Sequence, residues 1–93
     1  MAHPIRFSSR FLRTWKELSQ SEKDRIFDII IELPNLLKNP HRHSGFGLRR
    51  LQGSSILYDA RIDLRWRLIM KLDSQEILLF DVLNHDQVKR LFR

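Results

Sequence analysis

The chain has 93 residues, 42% hydrophobic and 30% charged, so we expect one folded domain over residues 1–93 with a small core. It contains no cysteine, which excludes disulfides and thiolate metal sites, and no stretch resembles a signal peptide or a membrane span. The formal charge is +6, and arginine outnumbers lysine 12 to 5. The surplus could serve solubility alone, but paired guanidinium donors suit phosphate, so we expect a polyanionic partner in the cytoplasm.

The first part of the chain is predicted to form an edge strand and a helical hairpin. Residues 3–8 alternate weakly in hydrophobicity, as short edge strands do. Apolar residues recur at helical spacing over residues 11–18 and again over residues 26–37. A capping-box pattern at residues 21–24 would begin the second helix, and Pro34 would kink it or end its regular part.

The composition of residues 39–47 predicts a loop that carries His41 and His43. Two histidines at this spacing could bind a metal only with a further ligand, and none is obvious in the sequence. We therefore predict no metal or other cofactor. Because the loop borders the basic part of the chain, we expect His43 to contact nucleic acid instead.

The rest of the chain is predicted to form a sheet. Residues 48–51 are a short segment that could join it, and residues 56–62, 66–72 and 77–83 are strands separated by turns. A short helix or tail would follow over residues 87–93. The predicted fold class is therefore α+β: an N-terminal edge strand, a two-helix hairpin and a three- to four-stranded antiparallel sheet.

Cations gather on the predicted sheet: Arg49, Arg50, Arg61, Arg65, Arg67 and Lys71. Alternation by two places the last three, with Ile69, on one face of their strand and Leu68, Met70 and Leu72 on the other. In the strand before, it places Ala60 and Arg61 on opposite faces, and Arg61 lies across a hairpin turn from the other cations. Carboxylates in the same region could neutralise some of these cations: Asp59, Asp63 and Asp81. That explanation suits Arg49 and Arg50 less well, because no acid lies close to them in sequence.

His85 follows the most apolar strand and precedes Asp86. Imidazole can both accept and donate a proton near neutral pH, and an adjacent carboxylate could orient it. Asn84, His85 and Asp86 could instead form a capping turn that begins the last helix, with Asp86 favoured at its amino end. The pattern leaves both interpretations open.

Four short motifs, in this order, resemble the RelE/ParE superfamily of bacterial toxins from type II toxin–antitoxin systems. They occupy residues 47–51, 58–61, 66–70 and 83–88, and the resemblance covers nearly the whole chain. The RelE branch resembles small basic ribonucleases that enter the ribosomal A site and cut mRNA. The resemblance therefore implies mRNA cleavage by 2′-hydroxyl attack on the phosphate, inhibition of translation, and a cognate antitoxin as partner.

The resemblance also implies roles for individual residues. Arg61 would stabilise the phosphate, His85 would be the acid or base with Asp86 orienting it or sharing its role, and Arg50 would contact or activate the reacting groups. Other residues would bind RNA: Arg49, Arg65, Arg67, Lys71, His43 and Lys89. Many family members carry an aromatic residue near position 89, so base stacking here would fall to Phe46, Phe92 or Trp66.

Two alternatives remain from the sequence. A ParE-like toxin would inhibit DNA gyrase without catalytic residues. A binding module could retain the fold and lack activity. His85 beside Asp86, together with the arginine-rich sheet, favours the ribonuclease.

Overall fold

The computed structural model describes residues 4–38, 47–51, 53, 56–73 and 75–91. In chain order, its elements are β1 (Ile5–Phe7), α1 (Ser9–Trp15), α2 (Gln20–Lys38), β2 (Arg49–Arg50), β3 (Leu57–Arg61), β4 (Trp66–Leu72), β5 (Ile77–Asn84) and α3 (His85–Leu91). The predicted α+β class is confirmed. In the described part of the chain, no helix is both long and apolar enough to cross a membrane.

The five strands form one mixed sheet in the order β1-β5-β4-β3-β2. The strands from β2 to β5 pair antiparallel, as predicted, but β1 pairs parallel with β5, so the sheet has more strands than expected and is not purely antiparallel. The reason is the helical hairpin, which carries the chain from one edge of the sheet to the other. As a result β1 lies at the edge opposite β2 and runs alongside β5.

Both helices of the hairpin are capped by serine. The Ser8 hydroxyl accepts a hydrogen bond from the Phe11 N–H at 3.0 Å at the start of α1. At the start of α2, Ser19 Oγ accepts from the Glu22 N–H at 3.2 Å, and Glu22 Oε1 accepts from the Ser19 N–H at 2.7 Å. The capping box is therefore at residues 19–22, and the prediction at residues 21–24 is wrong. The helix also continues past Pro34, so its regular part does not end there.

The main core lies between the hairpin and one face of the sheet, which we call the helix face. The hairpin contributes Phe11, Leu18, Ile26, Ile29 and Leu33, and the sheet contributes alternate residues of β3 and β4: Ala60, Leu68, Met70 and Leu72. These strand residues are the ones that alternation by two assigned to one face. The pattern holds because successive side chains of a strand point to opposite faces of the sheet, so every second residue faces the hairpin.

The opposite face carries a smaller cluster, in which Ile69 of β4 packs against Val88 of α3 and Leu51 after β2. We call this the α3 face. It explains why β5 is almost continuously apolar: its residues are used on both sides of the sheet. A shift in the β4–β5 register between Ile69 and Met70 places Phe80 as an extra residue on β5.

Candidate nucleic-acid interface

A buried carboxylate organises the arginines on the α3 face. Asp59 has 0% of its side chain exposed, and its two oxygens accept hydrogen bonds from Nε and Nη2 of Arg49 at 2.9 and 3.2 Å. Nη1 of Arg67, which is 17% exposed, lies 3.6 Å from the same carboxylate. This arrangement holds two guanidinium groups from two strands in fixed positions.

The pairing of Arg49 corrects one expectation from the sequence. Arg49 and Asp59 are register partners in β2 and β3, so strand pairing supplies an acid that sequence proximity did not indicate. Asp63 and Asp81 do not neutralise the sheet arginines. Asp63 accepts hydrogen bonds from the backbone of the β3–β4 turn, and Asp81 forms an ion pair with Arg10 of α1.

Arg61 lies directly opposite Arg67 in the β3–β4 register, on the α3 face. Its side chain is exposed and lies against Gly47, and among the described residues no acid is within ion-pair distance of its guanidinium. Two like charges at opposed positions repel each other, and Asp59 compensates only one of them. An anion beside Arg61 would relieve this repulsion.

The other predicted cations do not lie beside Arg49, Arg61 and Arg67. Arg50 is the register partner of Tyr58, whose side chain packs on the main core, so it lies on the helix face. Lys71 is four residues along β4 from Arg67, about 13 Å away at the usual rise per residue. Arg65 precedes β4, and its guanidinium lies 4.7 Å from the centre of the Trp66 ring.

His85 is the first residue of α3 and is exposed to solvent. Asn84 caps this helix: its side-chain oxygen accepts from the Gln87 N–H, and Gln87 Oε1 accepts from the Asn84 N–H, both at 2.9 Å. The capping interpretation of this segment is thus correct for Asn84, and it leaves the His85 ring free to contact a ligand. Lys89 follows His85 by four residues and shares its flank of the helix, and Asp86 is adjacent.

The other flank of α3 borders a cavity of about 340 Å³ that the sequence did not indicate. Its lining residues come from α1, β5 and α3: Arg10, Phe80, Asp81, Leu83, Gln87 and Arg90. None of the predicted site residues that the structure describes lines it. Arg10 and Asp81 are far apart in sequence, so only the packing of α1 against β5 could have revealed their pairing.

Three residues expected at the interface, His43, Phe46 and Phe92, lie outside the described residues. Within the described ranges, no group of three or more His, Asp or Glu side chains could hold a metal ion. The site as described therefore consists of guanidinium, carboxylate and imidazole groups.

Comparison with known proteins supports the resemblance at the level of the fold. No family model matches the sequence, and no curated protein matches it. A chain of the E. coli DinJ–YafQ complex matches with a TM-score of 0.71 and 19% identity, over 92% of this chain and 97% of that one.

Two other solved structures show the same similarity. The YoeB dimer from Staphylococcus aureus gives a TM-score of 0.73 and 17% identity, over 91% of this chain and 99% of that one. The RelB–RelE antitoxin–toxin complex from Methanococcus jannaschii gives 0.69 and 17%, over 95% and 99%. Identity this low shows a shared fold. The chain therefore has the fold of the RelE, YafQ and YoeB toxins.

Proposed function

We propose that this protein is the toxin of a type II toxin–antitoxin system and inhibits translation by cutting mRNA on the ribosome. The observation that carries the proposal is the exposed Arg61. It has no described acidic partner, and it lies opposite Arg67 on the neighbouring strand. His85 follows β5 at the same end of the sheet, since the Arg67 partner on β5 is Leu83. The fold shared with RelE, YafQ and YoeB is the second support.

The proposed reaction is attack of a ribose 2′-hydroxyl on the adjacent phosphorus. The 2′ oxygen–phosphorus bond forms, the bond to the 5′ oxygen breaks, and a 2′,3′-cyclic phosphate and a 5′-hydroxyl result. Arg61 stabilises the extra charge on the phosphate, because a fixed cation is worth most where charge develops. His85 transfers a proton to or from the reacting oxygens, with Asp86 beside it.

The arginines held by Asp59 have a different proposed task. Arg49 is 54% exposed and can still offer donors to RNA while it remains bound to Asp59. Arg67 is largely covered, and it contributes positive potential more than direct contact. We leave Arg50 out of the reacting groups because it lies on the helix face. Lys89, Lys71 and Arg65 extend the basic surface along the RNA strand.

The proposal includes a cognate antitoxin with acidic residues that covers these arginines or an edge of the sheet. Mixing the purified protein with this antitoxin at a one-to-one ratio should abolish mRNA cleavage. Cleavage that continues at full rate in that mixture would contradict this part of the proposal.

The direct test is induced expression in a bacterium, with measurement of protein synthesis and mapping of new mRNA 5′ ends. Wild-type protein should arrest translation and produce cut mRNA. Arg61→Ala and His85→Ala should each reduce cleavage at least about 100-fold, because one electrostatic or proton-transfer group contributes about that much. Their circular-dichroism spectra should remain unchanged.

Arg13→Ala is the matched control, since Arg13 is exposed on α1 and is not among the residues assigned to the reaction or to RNA binding. It should cut mRNA like wild type. Unchanged cut sites in both active-site variants would refute the assigned roles. DNA damage with intact translation would instead indicate gyrase inhibition, and normal growth with wild-type protein would indicate an inactive binding module.

A further inference from the structure

The cavity between α1, β5 and α3 has an unusual combination of charges. Its volume is about 340 Å³, and two arginines from different helices line it, Arg10 from α1 and Arg90 from α3. Asp81 is the only acid among the described residues that line it. The side chains with formal charge therefore sum to +1, which is the complement of a single phosphodiester.

Arg10 is held over this cavity by two contacts that leave most of its donors available. Its Nε lies 3.7 Å from Oδ2 of Asp81, and its Cζ lies 5.8 Å from the centre of the Phe80 ring. No contact described for the chain involves its two terminal nitrogens. The guanidinium is thus positioned by the protein, while the pair of nitrogens that binds phosphate oxygens remains free.

Asp81 does not make the cavity an acidic site. It is largely buried, and its Oδ1 accepts hydrogen bonds from the Thr14 hydroxyl at 3.1 Å and the Val82 N–H at 2.8 Å. Its Oδ2 faces Arg10. The carboxylate is therefore occupied by protein donors, and its main effect on the cavity is to hold Arg10 in place.

The remaining lining residues suit a nucleotide backbone. Arg90 is exposed in the last turn of α3 and makes no hydrogen bond or ion pair among the described residues. Gln87 binds the Asn84 N–H through its oxygen, so its amide nitrogen is available as a donor. Phe80 and Leu83 supply an apolar wall, against which a sugar or base could pack.

We propose that this cavity binds a backbone phosphate of a single RNA strand, between the guanidinium groups of Arg10 and Arg90. That this strand is mRNA rests on the proposed function. A message whose cut phosphate lies on the His85 flank of α3 would place a neighbouring phosphate in the cavity on the other flank, since a helix with its side chains is only about 10 Å across. The cavity would thus fix the position of the strand relative to the cut.

The test uses the full-length protein and a short 2′-O-methyl RNA, which lacks the attacking hydroxyl and so separates binding from cleavage. Affinity is measured by fluorescence anisotropy across a salt series for Arg10→Gln, Arg90→Gln and the control Arg13→Gln. Each cavity variant should bind about tenfold more weakly than the control, as expected for loss of one charged hydrogen-bonding group. Each should also lower the slope of log affinity against log salt by about 0.7.

A parallel NMR titration follows the arginine Nε signals with inorganic phosphate or with the RNA. We expect Arg10 and Arg90 signals to shift with RNA and Arg13 signals to remain in place. Arg90→Gln is the decisive variant, because Arg90 has no described partner whose loss could disturb the fold. RNA binding by this variant equal to that of the control would overturn the proposal. Arg10 and Arg90 Nε signals that respond to inorganic phosphate but not to RNA would also overturn it.

The RNA-binding test of the cavity and the cleavage test of the proposed function can give different results. If the cavity variants lose RNA affinity and the wild type cuts no message in cells, the phosphate site stands and the ribonuclease proposal falls. If the wild type cuts mRNA and both cavity variants bind RNA like the control, the ribonuclease proposal stands and the phosphate site falls.

Discussion

Asp59 is the residue whose removal should cost the most on the α3 face. Asp59→Asn would leave Arg67 covered and without a carboxylate, and it would replace one of the two oxygens that accept from Arg49 with an amide donor. Breaking a fully buried ion pair costs about 3–5 kcal/mol, but Arg49 is half exposed, so we expect a loss of about 2–3 kcal/mol. Urea unfolding followed by circular dichroism measures this change.

Asp63→Asn is the control for that substitution, because it removes the same charge from an exposed turn. Asparagine retains the oxygen that accepts the Arg65 and Trp66 N–H groups, so its unfolding free energy should stay within about 0.5 kcal/mol of wild type. Equal effects of the two substitutions would show that the arginine pairing contributes no more than a surface charge does.

The same residues show how far sequence reasoning reaches at this scale. Alternation by two correctly separated Leu68 from Arg67 and Ile69, because the period of a strand is a local property. The partner of Arg49 could not be found in this way. It depends on the register between β2 and β3, which is set by the whole sheet and leaves no local signal.

At the scale of single elements, the cap of α3 fixes where the helix begins and so where His85 lies. Asn84→Ala removes the hydrogen bond to the Gln87 N–H and should destabilise the protein by about 1 kcal/mol. Asn35→Ala in α2 is the matched control, and it should be neutral or slightly stabilising because alanine favours a helix interior. A stability loss of the same size in both variants would argue against a capping role for Asn84.

The start of α2 shows why element boundaries are hard to assign from sequence. Ser19 and Ser21 each precede an acid by three residues, so two overlapping capping boxes are possible. In the structure the first one forms, with the longer side chain of Glu22 reaching back to the Ser19 N–H. Capping boxes favour glutamate over aspartate at this position, and that preference was the signal available in the sequence.

At the scale of the whole molecule, the net charge of +6 should dominate the affinity for RNA. Each phosphate contact to a single strand contributes about 0.7 to the salt slope, so four contacts would weaken binding about 50-fold between 50 and 200 mM salt. Anisotropy with the 2′-O-methyl RNA measures this, and thermal unfolding at both salt concentrations controls for changes in the fold. Affinity independent of salt would exclude phosphate contacts as the source of binding.

The overall topology was predicted in part. The order strand, two helices and antiparallel strands followed from hydrophobic periods, and the edge position of β1 was also correct. The parallel pairing of β1 with β5 was not foreseen, because a three-residue strand carries little pattern and its partner lies far along the chain. Contacts of this kind are decided by how the helical hairpin packs.

That pairing sets an order of events for a newly made chain. The Ser8 hydroxyl donates to the Phe80 carbonyl, a partner 72 positions later, and β1 joins β5 in the same place. At about 5–20 residues per second, a ribosome needs about 4–14 s to make the intervening segment. During that interval β1 has no β5 to pair with, and the α3 face is incomplete because β5 and α3 have not been made. Every new copy therefore completes its five-stranded sheet, and with it the fold shared with RelE, YafQ and YoeB, only once β5 has been made.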